Sequence, residues 1–221
     1  MRRIVATTFT SLDGVIQAPG GPEEDPTGGF IHGGWAGPGH WDEMMGNIMG
    51  EIMAKPFDLL LGRKTYEIFA AHWPYAGDNP VTKLFNEATK YVASRTLSEP
   101  DWINSRLLRG DVAEAVRRLK AEDGRDLQVH GSGQLLQTLH AHQLVDEHWL
   151  WVFPVVLGHG KRLFPEGARP QALSLAASRT SSTGVMINTY RPAGAVKTGS
   201  FALSEPTEAE KRRREKMARE N

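Results

Sequence analysis

Three short stretches carry residues whose types and spacing suit an extended anionic ligand. The first is His130-Gly131-Ser132-Gly133-Gln134-Leu135-Leu136, which joins a strand-like Leu127-Gln128-Val129 to a helix with almost no loop. Glycines at 131 and 133 let the backbone take positive φ and approach a ligand closely, and the free N–H groups of a new helix carry partial positive charge. A tight strand-to-helix turn without any ligand accounts for the same residues, because two glycines are less specific than a full dinucleotide fingerprint. The second stretch is Gly62-Arg63-Lys64-Thr65, again between a strand and a helix. Two cations beside a helix N-terminus oppose its dipole, so either an anion is expected there or they are solvated surface charge. The third is Ser94-Arg95-Thr96, which follows the strand-like Lys90-Tyr91-Val92-Ala93.

Ligands in open α/β sheets bind beyond the carboxyl ends of the strands, so these three turns are expected to converge on one molecule of dinucleotide length. Arg63 and Lys64 would meet a phosphate or pyrophosphate, Ser94 and Arg95 a ribose 2′-phosphate, and Gly131 to Gln134 would present backbone N–H groups. That distribution favours NADP over NAD. Asp13, in Ser11-Leu12-Asp13-Gly14, is the first candidate for orienting a substrate or relaying a proton, since a carboxylate in a closed pocket can be tuned for acid–base work. An Asp before Gly is equally a turn former.

The elements that must position these residues follow from pattern. Residues 2–10 are β-branched and aromatic enough for an opening strand. From Gln17 to His40 the chain is rich in Gly and Pro, and a loop of this length is read as a lid over a pocket, with a surface insertion as the alternative. Trp41, Met44, Met45, Ile48, Met49, Ile52 and Met53 make one apolar helical face, and Pro56 closes that helix. Asp42 and Glu43 lie in its first turn, where their negative charge complements the helix dipole. Phe57–Leu61 reads as a buried strand, Tyr66, Phe69 and Ala70 as a helix face, and Val81–Ala88 as a further helix.

Asp111-Val112-Ala113-Glu114 has the form of a capping box, and Leu135, Leu136 and Leu139 give the helix after the glycine turn its buried face. Strands are expected at 148–155, 172–178 and 185–190, the last two joined through Ser181-Ser182-Thr183-Gly184. Alternating β and α units predict an α/β protein: a mixed, mostly parallel sheet with helices on both faces and an antiparallel C-terminal edge. Residues 1–194 form one domain in this reading, and 195–221 a charged tail, helical or disordered, with a second capping box at Thr207–Glu210.

Lys plus Arg balances Asp plus Glu at 26 each in 221 residues, so no overall field draws the chain to nucleic acid or an anionic membrane. The absence of cysteine excludes disulfides and thiolate chemistry, and no secretory or membrane-spanning run is evident, so a cytoplasmic protein acting on a small-molecule substrate is expected. The eight histidines show no His-Glu-x-x-His pattern, so no metal site is expected. Ser132 lacks the Gly-x-Ser-x-Gly frame of a hydrolase elbow.

Taken together, Ser11–Gly14, Leu61–Tyr66, Val92–Leu97, Gly131–Gly133, Leu144–Glu147 and Pro154–Gly158 resemble the dihydrofolate reductase-like reductases. The resemblance is especially to the branch that holds the C-terminal reductase domain of the bacterial riboflavin-biosynthesis deaminase-reductase, and it covers roughly residues 2–192. The resemblance implies a three-layer α/β/α fold, NADPH along the strand ends, and often a homodimer. It assigns cofactor contacts to Gly62, Arg63, Lys64 and Thr65, to Ser94, Arg95 and Thr96, and to Gly131, Ser132, Gly133, Gln134 and Leu135. The implied chemistry is hydride transfer to a C=N or C=O carbon of a small heterocycle. Asp42 and Glu43 lie near where dihydrofolate reductases carry a helical acid and are second choices for catalysis after Asp13. The zinc motif of the deaminase half is absent, so the bifunctional enzyme as a whole is not expected. A riboflavin-precursor reductase, a dihydrofolate reductase and a non-catalytic NADP-binding sensor or interaction module are the readings carried forward.

Overall fold

The computed structural model describes residues 1–220. Eight strands form one sheet: β1 (Ile4–Ser11), β2 (Asp58–Gly62), β3 (Lys90–Ala93), β4 (Ser105–Leu108), β5 (Leu127–His130), β6 (Glu147–Phe153), β7 (Leu173–Thr180) and β8 (Met186–Pro192). Their order is β4-β3-β2-β5-β1-β6-β8-β7, parallel from β4 to β6 and antiparallel through β8 and β7. Among the described residues the six α-helices are α1 (Glu43–Met53), α2 (Arg63–His72), α3 (Pro80–Glu87), α4 (Val112–Ala121), α5 (Gly133–Ala141) and α6 (Glu208–Glu220).

Side chains alternate across the sheet. Ile4, Ala6, Leu60, Leu127 and Val129 bury one face under α4 and α5, through Val116, Leu119, Leu136 and Leu139. On the opposite face Leu59, Leu61 and Val92 pack beneath Tyr66 of α2 and Phe85 of α3, while Phe9, Trp151 and Phe153 pack beneath Met45 and Ile48 of α1. Because β1, β2, β3 and β5 run parallel, their carboxyl ends share one edge, and the three expected ligand turns all leave the sheet there.

The helix starts follow local chemistry. Asp42 is the N-cap of α1, accepting from Met45 N at 2.9 Å; Asp111 caps α4 through Glu114 N at 2.9 Å; Thr207 serves α6 through Glu210 N at 3.2 Å. Helix α1 stops at Met53, short of Pro56, and α3 begins one residue earlier than expected, with Pro80 at its first position behind the Asn79 cap. β4 escaped the sequence reading because it is a four-residue edge strand without apolar alternation. Helix α6 has no buried residue and is held by its own ion pairs, such as Glu210 with Arg213 and Arg214.

Candidate functional site

A cleft of about 1590 Å³ opens at the shared strand edge. Every residue expected to touch the cofactor lines it: Gly62, Arg63, Lys64 and Thr65 after β2, Ser94, Arg95 and Thr96 after β3, and Gly131 to Leu135 after β5. Two of the turns are in contact. Gly62 N donates to Ser132 Oγ at 2.9 Å, and a Cβ on Gly62 would lie 3.3 Å from Ser132 Cβ.

The glycine turn differs in detail from its expected form. Gly131 takes positive φ (69°), but the second such residue is Ser132 (φ 67°, ψ 62°), not Gly133. A left-handed serine costs roughly 1–2 kcal/mol relative to ordinary backbone, and the bond from Gly62 N helps hold it there. Gly133 serves a different need: its bare Cα admits Ile16, whose Cδ1 would stand 3.0 Å from an added Cβ.

Ser94 Oγ accepts from Thr96 N at 3.2 Å and Leu97 N at 2.9 Å, which fixes the turn and leaves the hydroxyl proton free to donate. Arg95 is exposed, and among the described residues no carboxylate pairs with it. Arg63 is bound to Glu67 one turn on, at 2.8 Å. Lys64 reaches across the cleft to Asp25, at 3.5 Å, and to Thr27 Oγ1, at 3.2 Å.

Asp25 belongs to the long loop read as a lid. Lys161 also pairs with Asp25 and reaches Thr27 Oγ1 at 2.8 Å. Burial opposes the ionisation of Asp25, but the bonds from Lys161 and Thr27 and the charge of Lys64 outweigh it and hold its carboxyl down at about 2. Gln17 organises the loop from inside: its Nε2 donates to the Asp25 and Thr27 carbonyls at 2.9 and 2.8 Å, and its Oε1 accepts from Lys161 N at 3.0 Å. The segment from Gln17 to Gly20, with Glu24, Asp25 and Thr27, forms one wall of the cleft.

The three candidate catalytic acids are placed elsewhere. Asp13 is not in the cleft lining. Its carboxylate accepts from Ser11 Oγ at 2.6 Å, Leu157 N at 3.1 Å and Gly158 N at 2.8 Å, clamping the turn after β1 to the loop after β6. The Ser11 hydroxyl is the main cause of a carboxyl held at about 2, which keeps Asp13 ionised near neutral pH and a poor proton donor there. Asp42 spends its second oxygen on Ser182, accepting from N at 2.7 Å and Oγ at 2.8 Å, and so pins α1 to the β7–β8 hairpin. Glu43 is exposed and also outside the lining.

A second part of the cleft lies on the α1–α2–α3 face. Helices α1 and α3, and α2 beyond its first turn, contribute only Met49, Met53, Ile68, Phe69, Val81 and Phe85 to the lining, joined by Trp73, Trp41 and Phe9. The rings are contiguous: Trp73 stacks on Phe85 at 4.3 Å, and His130 lies 5.6 Å from Phe85 and 6.4 Å from Phe69. Helical periodicity marks such side chains as apolar and inward-facing but does not distinguish one that faces a core from one that faces a cavity.

The geometry stands beside three likenesses to known proteins. A profile of the RibD C-terminal domain matches residues 2–187. The chain belongs to the RibD C-terminal domain family. A relative within reach of sequence comparison is the uncharacterized protein YyaP of Bacillus subtilis (strain 168), 31% identical over 199 residues, covering 86% of this chain and 94% of that protein. Among solved structures, a Shewanella sp. PV-4 protein named for riboflavin biosynthesis superposes with a TM-score of 0.64 at 21% identity, covering 86% of this chain and 99% of that one. A pyrimidine reductase-like protein from Corynebacterium diphtheriae gives 0.57 at 12% identity, covering 87% and 92%. The family and these folds bear out the dihydrofolate reductase-like α/β architecture expected from the motifs. RibD C-terminal domain membership points to reductase-like, oxidoreductase chemistry. No helix among the described residues is long and apolar enough to cross a membrane, and none of their His, Asp and Glu side chains form a group of three able to hold a metal.

Proposed function

We propose that the chain is an NADPH-dependent reductase that delivers hydride to a C=N or C=O carbon of a small ring compound. The observation that carries this reading is the convergence of all three turns on one cleft, with Arg95 exposed there and unpaired among the described residues. Family membership supports the reductase class. In this reading Arg95 and the Ser94 hydroxyl hold the 2′-phosphate, and the N–H groups from Gly131 to Gln134 face the pyrophosphate with Lys64 beside it. NADPH supplies the hydride, and the chain binds, orients and excludes water. Asp13, Asp42 and Glu43 do not line the cleft, so in this reading none of them is assigned the proton. The placement of Asp42 and Glu43 also leaves a dihydrofolate reductase activity without its helical acid.

The test is a titration with NADPH and NADH, followed by fluorescence. Arg95→Ala is expected to weaken NADPH by about 10- to 100-fold, the size of a lost hydrogen bond to a charged group, and to leave NADH within about twofold. Equal losses for the two would refute the role given to Arg95. Tight NADPH binding without oxidation by any carbonyl or imine would favour a non-catalytic binding module.

A further inference from the structure

The apolar part of the cleft has a polar floor. Thr7 and His130 are paired neighbours on β1 and β5, and both side chains project to the α1–α2–α3 face. Thr7 is only 4% exposed, and its Oγ1 is buried with no hydrogen-bond partner among the described residues, out of reach of a ligand in the cleft.

His130 offers one defined atom. Gln128 Nε2 donates to the Ile52 carbonyl at 2.8 Å, which turns Gln128 Oε1 toward His130 Nε2, also at 2.8 Å. A carbonyl oxygen can only accept, so His130 carries its proton on Nε2 and presents Nδ1 as a bare acceptor. Burial pushes this imidazole down to about 4, so it is neutral near pH 7. Nδ1 has no partner among the described residues, on a side chain that lines the cleft.

The charged residues of the lining all lie on the turns, the lid and the loops: Arg63, Lys64, Arg95, Asp111, Glu24 and Asp25, with Lys161, Arg162 and Glu166. None comes from α1, from α3 or from α2 past its first turn. A phosphate or carboxylate seated among Met53, Phe69, Trp73 and Phe85 would therefore lose its hydration without gaining a counter-charge.

We propose that this part of the cleft takes a flat, uncharged ring compound with a lactam-like N–H that donates to His130 Nδ1. The substrate class is thus an aryl or fused-ring carbonyl compound without a phosphate. The inference deepens the reductase reading and rests on it for the chemistry, but not for the binding. Isatin is a suitable probe, having a flat ring, a lactam N–H and C=O, and a reducible ketone. On turnover the ketone carbon gains a hydride and its oxygen gains a proton from solvent, giving 3-hydroxyoxindole while NADPH becomes NADP⁺.

Binding is measured by calorimetry with NADP⁺ present, and turnover separately by NADPH absorbance. Isatin is expected to bind at least tenfold more tightly than isatin-5-sulfonate. N-methylisatin should bind several-fold to about tenfold more weakly than isatin, as expected for one lost hydrogen bond. His130→Leu should erase that difference, and Met53→Lys should reverse the preference between isatin and its sulfonate. The two ligand comparisons use the unaltered protein and do not depend on any variant folding. Binding of the sulfonate, or of a phosphoribosyl pyrimidine, as tightly as isatin would overturn the proposal even if the protein proved to be an NADPH reductase. Equal binding of isatin and its N-methyl form would overturn the part given to His130. Selective isatin binding without NADPH oxidation would uphold the ligand class and sink the reductase reading instead.

Discussion

Ser132 couples two of the ligand turns, and replacing it separates backbone strain from hydrogen bonding. Ser132→Ala keeps a β-carbon in the left-handed region at φ 67° and strips Gly62 N of the acceptor 2.9 Å away. The unpaired N–H sets the loss, roughly 1–3 kcal/mol. Ser132→Gly loses the same bond but relieves a left-handed penalty of roughly 1–2 kcal/mol. Against that relief stands the extra freedom of glycine in the unfolded chain, roughly 0.5–1 kcal/mol. The glycine variant should therefore be the more stable of the two, by on the order of 1 kcal/mol. Urea unfolding with a common slope measures the difference. Both variants should bind NADPH more weakly than the parent, because in each the 62 turn is no longer tied to the 132 turn. An alanine variant as stable as the parent, or more stable than the glycine variant, would refute the account of this turn.

Other expectations concern the lid and the core. Asp25→Asn removes the carboxylate that draws Lys64 and Lys161 together, an exposed pairing worth roughly 0.2–1 kcal/mol; amide exchange across 17–30 should accelerate, with global stability changed little. The same change leaves Lys64 without its internal anion, so the affinity for inorganic pyrophosphate should rise, and an unchanged affinity would detach Lys64 from the phosphate site. A third expectation concerns His140 and His148, whose rings stack at 4.8 Å and which burial holds down at about 4. The unfolded imidazoles take up protons near 6.5 and the folded ones resist, so their contribution is complete above that pH and is lost as pH falls from about 6.5 toward 4. Melting temperature against pH should decline across that window, and His148→Leu should flatten the decline.

Much of this molecule could be read from residue order because its cues are local. The caps at Asp111 and Thr207, the apolar stripe of α1 and the strand 90–93 each depend on a few neighbouring residues. The three turns that meet at the cleft were legible for the same reason, since a glycine or cation next to a helix start acts on its own backbone. For Asp13 the turn-forming alternative rests on a local partner, Ser11, but the other two, Leu157 and Gly158, lie far along the chain and are not legible from the residues around position 13. Lys161 was hidden likewise, as its bond to Asp25 closes only when the loop after β6 folds over the lid. The aromatic wall of Phe69, Trp73 and Phe85 shows the opposite difficulty: the residues were visible, but whether they face packed atoms or open space is a property of the assembled layers.

The central strand β1 divides the molecule in a way that bears on how such proteins diverge. Its alternate side chains serve separate tasks: Ile4 and Ala6 are buried under α4 and α5, while Thr7 and Phe9 border the cleft. Drift at positions 7 and 9 can retune what is admitted with little disturbance to the interior, whereas inserting or deleting one residue would exchange the two sets at a stroke. Point substitution at alternate sites is then the route open to a lineage changing its diet of small molecules, and length changes in this strand should be rare among its descendants.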